Sequence, residues 1–319
     1  MSTNPKEKSM HYYWVHGLCI SSALLLPELY PLSPADAQSW SVLSLNVSIE
    51  LGKTPEFLEN PKSEGVLYQA VPDRFLLRID GIARYLVEGG SRIVIEPDLQ
   101  ATEDEIRFFL FGSPMGALLH QRNVFILHGS AIETDRGAVV FIGSSGAGKS
   151  AIAAAFLQRG YRVLTDEICT VTIDEKKQFV VQPGLAEIYL WRDVLKKLAY
   201  NPESLRRVRP GLQKYALASS EANPPQPPQP TPLRVIYHLE IFNELKVNLA
   251  STKPREKIQH LLARTYQEPF FQVLGDKTKR FERTTQIARN AEIKGVKRPK
   301  GSLDYLDDLT ETIEKDWRD

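Results

Sequence analysis

The chain is poor in cysteine. Cys19 and Cys169 are its only thiols, far apart and without metal-ligand spacing, so the sequence offers neither a disulfide framework nor a cysteine zinc site. Long apolar runs are also missing. None approaches the roughly 18 residues needed to cross a bilayer, and the best stretch, Leu18 to Tyr30, is interrupted by Ser21, Ser22, Pro27 and Glu28. The same stretch follows a mixed-charge start containing Glu7 and holds no secretory-signal pattern, so an internal strand and turn in a cytoplasmic protein is expected, with no membrane partner. A dominant charge is lacking as well: the net charge is +1. Acidic residues outnumber basic ones up to residue 115, and basic residues outnumber acidic ones beyond it. Residues 253–300 hold 13 basic against 5 acidic side chains, yet no motif interleaves aromatics with them, so a solvated helix face or a landing surface is expected and nucleic acid is not.

At 319 residues the chain exceeds the usual span of one domain, and two are expected, 10–115 and 116–319. The first is strand-rich. Short β-type runs recur at Trp14 to Ile20, Trp40 to Ile49, Gly65 to Tyr68, Arg74 to Ile79, Ile82 to Val87 and Arg92 to Ile95, without a chemical motif. Glu103 to Leu119 reads as a helix joining the halves, weakened by Gly112 and Pro114. In the second part, Val124 to Ile132 and Gly137 to Ile142 read as a hairpin, and Ile168 to Ile173 with Phe179 to Gln182 as another. Glu187 to Lys197, Lys253 to Tyr266 and Leu303 to Trp317 are expected to be helical, and the proline-dense segment 221–232 an exposed connector.

What the chain does have is a phosphate-binding loop. Gly143, Ser144, Ser145, Gly146, Ala147, Gly148, Lys149 and Ser150 spell G-x-x-x-x-G-K-[ST] between an apolar strand and an alanine-rich helix. Glycines let backbone N–H groups wrap an anion, Lys149 reaches the outer phosphates, and the Ser150 hydroxyl suits a magnesium ion. The acidic pair Asp166-Glu167 follows only 17 residues after Lys149. A helix from Lys149 to Arg159 travels about 16 Å outward at 1.5 Å per residue. After Gly160, a strand from Tyr161 to Thr165 returns about the same distance. Both carboxylates should therefore lie near the phosphates, one to hold metal and the other to accept a proton. If Glu133 pairs with Ala138, paired residues sum to 271 and His128 falls opposite Gly143, beside the loop's mouth.

His128-Gly129, the loop 143–150 and the run 159–167 (RGYRVLTDE) together resemble the catalytic domain of the HPr kinase/phosphorylase family. The segments Pro183-Gly184, 232–234 and 297–301, with Val15-His16-Gly17-Leu18 and 26–29 (LPEL), resemble members from peptide-modification clusters, some of which phosphorylate a serine of lasso-type precursor peptides. The resemblance implies an α/β P-loop kinase domain of the HPr kinase C-terminal type behind a small strand-rich N-terminal domain. It implies ATP and Mg2+ as cofactors, a serine-containing peptide or small protein as acceptor, Asp166 as general base, His128 at the γ-phosphate, Lys149 on the transferred group, and Ser150 with Glu167 for magnesium. Glu167 departs from the paired aspartates usual in the family, and no HPr-specific signature follows, which counts against HPr as acceptor and against phosphorolysis. A homo-oligomer is compatible with the resemblance and fixed by no residue. A small-molecule hydroxyl kinase and a non-catalytic ATP-sensing module are the competing readings.

Overall fold

The β-branched and aromatic runs near the start of the chain fold into one nine-stranded sheet in the computed structural model, which describes residues 10–41, 47–185, 187–209, 211–219, 228–243, 246–266, 272–301 and 303–318. In chain order the elements are β1 (His11–Val15), β2 (Leu18–Ser22), β3 (Tyr30–Leu32), α1 (Pro34–Ser41), β4 (Val47–Leu51), β5 (Ser63–Glu64), β6 (Tyr68–Val71), β7 (Arg74–Ile79), β8 (Ala83–Glu88) and β9 (Arg92–Pro97). Their order across the sheet is β3-β1-β2-β4-β9-β8-β7-β6-β5. Trp14 to Ile20 is thus a hairpin rather than one run. Its two-residue turn, His16-Gly17, has both φ angles positive (54° and 76°), as a tight right-twisting hairpin requires. Of the expected run from Trp40 to Ile49, residues 42–46 lie outside the described ones, and Trp40 falls in α1.

Alternation fixes which face is covered. Phe75 and Leu77 of β7 stand across from Val87 and Tyr85 of β8, all buried, under helices α2 (Glu103–Leu110) and α3 (Ser113–Gln121). The one helix expected over Glu103 to Leu119 is two. Thr102 and Glu105 form a capping box that starts α2, whereas α3 begins after Gly112 with Pro114 in its first turn, where a missing N–H costs no hydrogen bond. The division expected between 115 and 116 falls inside α3, whose Leu118 and Leu119 join the core of the first sheet.

The remaining elements are β10 (Phe125–Thr134), β11 (Gly137–Gly143), α4 (Lys149–Gln158), β12 (Arg162–Thr165), β13 (Ile168–Ile173), β14 (Phe179–Val181), β15 (Glu187–Trp191), α5 (Arg192–Lys197), β16 (Arg206–Arg207), β17 (Lys214–Ala218), β18 (Thr231–Phe242), β19 (Asn248–Ser251), α6 (Pro254–Ala263), α7 (Lys277–Asn290), β20 (Glu292–Pro299) and α8 (Tyr305–Arg318). Parallel strands β11, β18 and β20 form the centre of an eight-stranded mixed sheet; β10, β12, β13 and β14 add to it antiparallel. Helices α4 and α8 cover one face, where Phe156 stacks on Phe141 and meets Trp317 with ring centres 4.9 Å apart. On the other face, Leu261 of α6 and Ile287 of α7 close over Ile236 and Ile293. The architecture is mixed α/β.

Glu187 to Lys197, expected as helix, splits into β15 and the short α5, because β15 pairs with β17 in a separate three-stranded sheet through Ile188↔Leu217 and Leu190↔Tyr215. Of the proline-dense segment, residues 221–227 lie outside the described ones, and Thr231 and Pro232 already belong to β18. No described helix is long and apolar enough to cross a membrane.

The turn of the first hairpin docks on the second unit. His16 donates its N–H to Pro183 O (2.8 Å), and its Nδ1 lies 3.3 Å from Thr170 Oγ1. Burial lowers the pKa of His16 and of His120 from 6.5 to about 4. Both are neutral in the folded chain until the pH falls well below the value at which they protonate when unfolded. Folded-state pKa values that lie lower make stability present above pH 6.5 drain away as the pH falls toward 4, at about 3 kcal/mol for each such group. Thermal denaturation from pH 7.5 to 4.5 should show a steep fall in Tm over this window, and His16→Gln should flatten part of it.

Candidate functional site

Strand β11 is buried along its whole length and delivers the chain into the loop at Gly143. Only glycine fits there: a Cβ would lie 2.7 Å from Leu239 O of the neighbouring strand β18. Gly148, with φ 99°, turns the chain into α4, so the helix begins with its free N–H groups at the loop. Lys149 is buried, and its Nζ donates to the loop's own carbonyls, Gly143 O (3.2 Å) and Ser144 O (3.1 Å). Burial lowers its pKa and the charge of Asp166 opposes that shift.

After α4 the chain returns along β12, which pairs with β10 through Ile132↔Val163 and Ala131↔Thr165. That register carries Asp166 to the side of Ser130. Asp166 Oδ1 accepts from Ser130 Oγ (2.5 Å) and from Ser150 Oγ (3.0 Å), tying the returning strand to the first turn of α4. The carboxyl is buried, which raises its pKa, while the two hydroxyl donors pull the other way. Glu167 follows with a left-handed backbone, φ 68°, and burial also raises its pKa. A non-glycine residue in that region is held there by its surroundings at a cost on the order of 1–3 kcal/mol.

The hairpin register expected from Glu133↔Ala138 is present and runs to Gly129↔Ile142. It stops there. Beyond Gly129 the edge of β10 that faced β11 is taken by residues 264–265, with Leu127 bridging Thr265, while β13 pairs on the opposite edge through His128↔Ile168; the expected pairing with Gly143 does not reach His128. Its backbone N–H goes to Arg264 O (2.7 Å). Its ring nevertheless faces the same cavity of about 610 Å3 as Lys149, Ser150, Asp166 and Glu167. Burial first, then the nearby charges of Lys149, Lys214 and Arg264, lowers the His128 pKa to about 4, so the imidazole is neutral at pH 7.

Two further cations complete this cavity: Lys214 has no sign in the sequence, and Arg298 lies in the segment 297–301, noted there only for its resemblance and without a role. Arg298, at the end of β20, is buried; its Nε donates to Ala147 O (2.8 Å) and its Nη2 to Gly146 O (2.7 Å), while its guanidinium lies 4.4 Å from the centre of the Tyr305 ring. It braces the phosphate loop from outside. Lys214 of β17 lies 5.9 Å from the ring centres of Tyr189 and Trp191, at the cavity wall. Arg298→Ala removes two charge-assisted hydrogen bonds from the loop, each worth about 1.5–3 kcal/mol, so ATP affinity by calorimetry should fall at least about ten-fold. Arg298→Lys should recover only part, since an ammonium cannot copy the fork.

The donor set suits a nucleotide and a hard cation. The loop offers glycine-shaped space and helix N–H groups for phosphate, and the touching oxygens of Ser150 and Asp166 are the ligand type that magnesium takes. Elsewhere, His238, Glu240 and His260 bring potential ligand atoms within 4.8 Å of one another, but the Arg264 guanidinium already donates to His238 Nε2 (3.3 Å), and a fixed cation there opposes a second.

The chain matches no protein-family model. No curated protein matches it either. Among solved structures it is similar to the Hpr(Ser) kinase/phosphatase from Coxiella burnetii, with a TM-score of 0.28 and 11% identity over 60% of this chain and 90% of that one. A likeness that distant carries no weight for function.

Proposed function

We propose that this chain transfers the γ-phosphoryl group of ATP to a serine hydroxyl of a peptide or small protein. The observation that carries the reading is the meeting of Lys149, Ser150 and Asp166 at the mouth of a glycine-shaped loop, in a cavity with room for phosphates and an acceptor. In this reading the serine oxygen attacks the γ-phosphorus as the bond to the bridging oxygen breaks, and the serine proton passes to Asp166. Ser130 holds that carboxylate in place, and its raised pKa makes it a better base than an exposed aspartate. Lys149 offsets the charge on the transferred group. Neutral His128 donates its ring N–H to a phosphate oxygen. Ser150 with Glu167 would hold magnesium, which when bound supplies charge neutralisation at the phosphates. A ribosomal precursor peptide as acceptor rests on the motif resemblance alone.

One observation favours an exchange of roles between the two carboxylates. Ser150 Oγ touches Asp166, so a cation taken by the Ser150 hydroxyl would meet Asp166 first and leave Glu167 as the base. The test of the function itself is transfer from γ-labelled ATP to serine peptides, a phosphocarrier protein and free serine. Label on a peptide or protein supports the reading; label on free serine alone, or on nothing while ATP binds, overturns it.

A further inference from the structure

A second cavity, of about 190 Å3, is also lined by the Asp166-Glu167 pair. It is built from both halves of the chain: Val15 and His16 from the docked hairpin, Phe108 from α2, Met115 from α3, and Leu185 and Tyr189 from the catalytic half. Asp166, Glu167 and Tyr189 line this cavity and the phosphate-loop cavity alike. The two spaces therefore meet at the carboxylates, where an acceptor hydroxyl has to arrive.

Size, lining and charge restrict the occupant. An apolar cavity of about 150 Å3 accommodates one benzene, so this one admits a single ring or large aliphatic side chain and is far too small for a nucleotide. The walls are aromatic and aliphatic, with Phe108 meeting Tyr189 edge to face at 5.6 Å. Apart from the phenols of Tyr189 and Tyr266, the ionisable groups on the wall are Asp166, Glu167 and His16; two carboxylates repel an acidic side chain, and the buried His16 is neutral at pH 7. The wall is also set rigidly. His16 (φ 54°) and Glu167 (φ 68°) are both non-glycine residues in the left-handed region, and His16 is fixed there by Pro183 O and Thr170.

We propose that this cavity receives a bulky apolar side chain next to the acceptor serine, so that the N-terminal sheet, through its β1–β2 turn, selects the peptide. The inference rests on the phosphotransfer reading above and adds the substrate's local chemistry. It also gives the first half of the chain a function that none of its own residues shows by motif.

The test uses the full chain with ATP and magnesium, and serine peptides carrying Trp, Phe, Leu, Ala or Asp at each position beside the serine. Phe or Leu at one of these positions should raise kcat/KM about ten- to one-hundred-fold over Ala, the range one apolar pocket commonly delivers, and Asp should be the poorest. Val15→Phe fills the cavity from the hairpin side; it should erase that preference and leave the rate on the Ala peptide and the KM for ATP unchanged. Should Val15→Phe fail to fold by circular dichroism, Phe108→Ala, which enlarges the cavity, should move the preference from Phe to Trp. Equal rates across the neighbours, a preference for Asp, or a preference that survives these variants would overturn the pocket while leaving phosphotransfer standing. Absence of transfer to every peptide would remove the pocket, and absence of transfer to the phosphocarrier protein as well would remove both readings.

Discussion

Asp166→Asn should lower kcat for phosphoryl transfer by about 10³–10⁴, near the upper end of what a positioned general base contributes, while the Kd for ATP changes less than about three-fold. The substitution keeps an oxygen that can still accept from Ser130 and Ser150, so the link between β12 and α4 survives. It removes the negative charge and the proton acceptor. Lys149 loses a partner that holds its charge, a modest effect beside burial, which is the larger influence on that lysine. The measurement is single-turnover transfer alongside calorimetric ATP titration. If both transfer and ATP binding collapse, Asp166 belongs to the metal, as its contact with Ser150 allows, and Glu167→Gln should then produce the pure kcat defect. If transfer is unchanged, neither carboxylate assignment to Asp166 stands. An ATP-sensing module without catalysis makes a different forecast: complex formation with a partner that depends on ATP and is indifferent to Asp166→Asn.

The position of that carboxylate is legible in the sequence, because it rests on two fixed rises per residue. A helix leaving the loop and a strand coming back have matching lengths only if the acidic pair follows closely, and β12 indeed brings Asp166 to within 3.0 Å of Ser150. The β10–β11 register was legible for a similar reason, since Thr134 to Gly137 can close only one tight turn. His128 shows where such arithmetic stops. Register holds only while two strands stay paired, and after Gly129 that edge of β10 passes from β11 to residues 264–265, a partner far along the chain and not written in the hairpin itself. The roles of Arg298 and Lys214 were hidden for another reason. Both residues reach the cavity from strands β20 and β17, far along the chain from the loop, and only the order of strands in each sheet puts them there. Glu187 to Trp191 misled by composition: its apolar residues suit helix or strand, and pairing with β17 decides for strand. The use of the first sheet was equally invisible, since Val15 and His16 acquire meaning only when their turn rests on Pro183 and Thr170.

Lys149→Ala should weaken transfer and ATP binding together, which separates it from Asp166→Asn. The buried ammonium sits on the carbonyls of Gly143 and Ser144, at the point where the loop opens. Its removal takes away the cation facing the outer phosphates and strips two loop carbonyls of their donor. A loss of about 10³ in kcat/KM corresponds to about 4 kcal/mol, a magnitude reasonable for a preorganised charge acting in a site screened from water. ATP affinity should drop at least about ten-fold in the same variant, because the ground-state phosphates also lose that charge. Lys149→Arg is the sharper control. Arginine keeps the positive charge but presents a planar fork in a space shaped for a compact point charge, and at a buried position that bulk has to displace the loop. Activity should therefore remain at least about 10²-fold down with arginine, whereas near-normal rates would mean that charge alone suffices and that the geometry of the loop around Lys149 has no catalytic part.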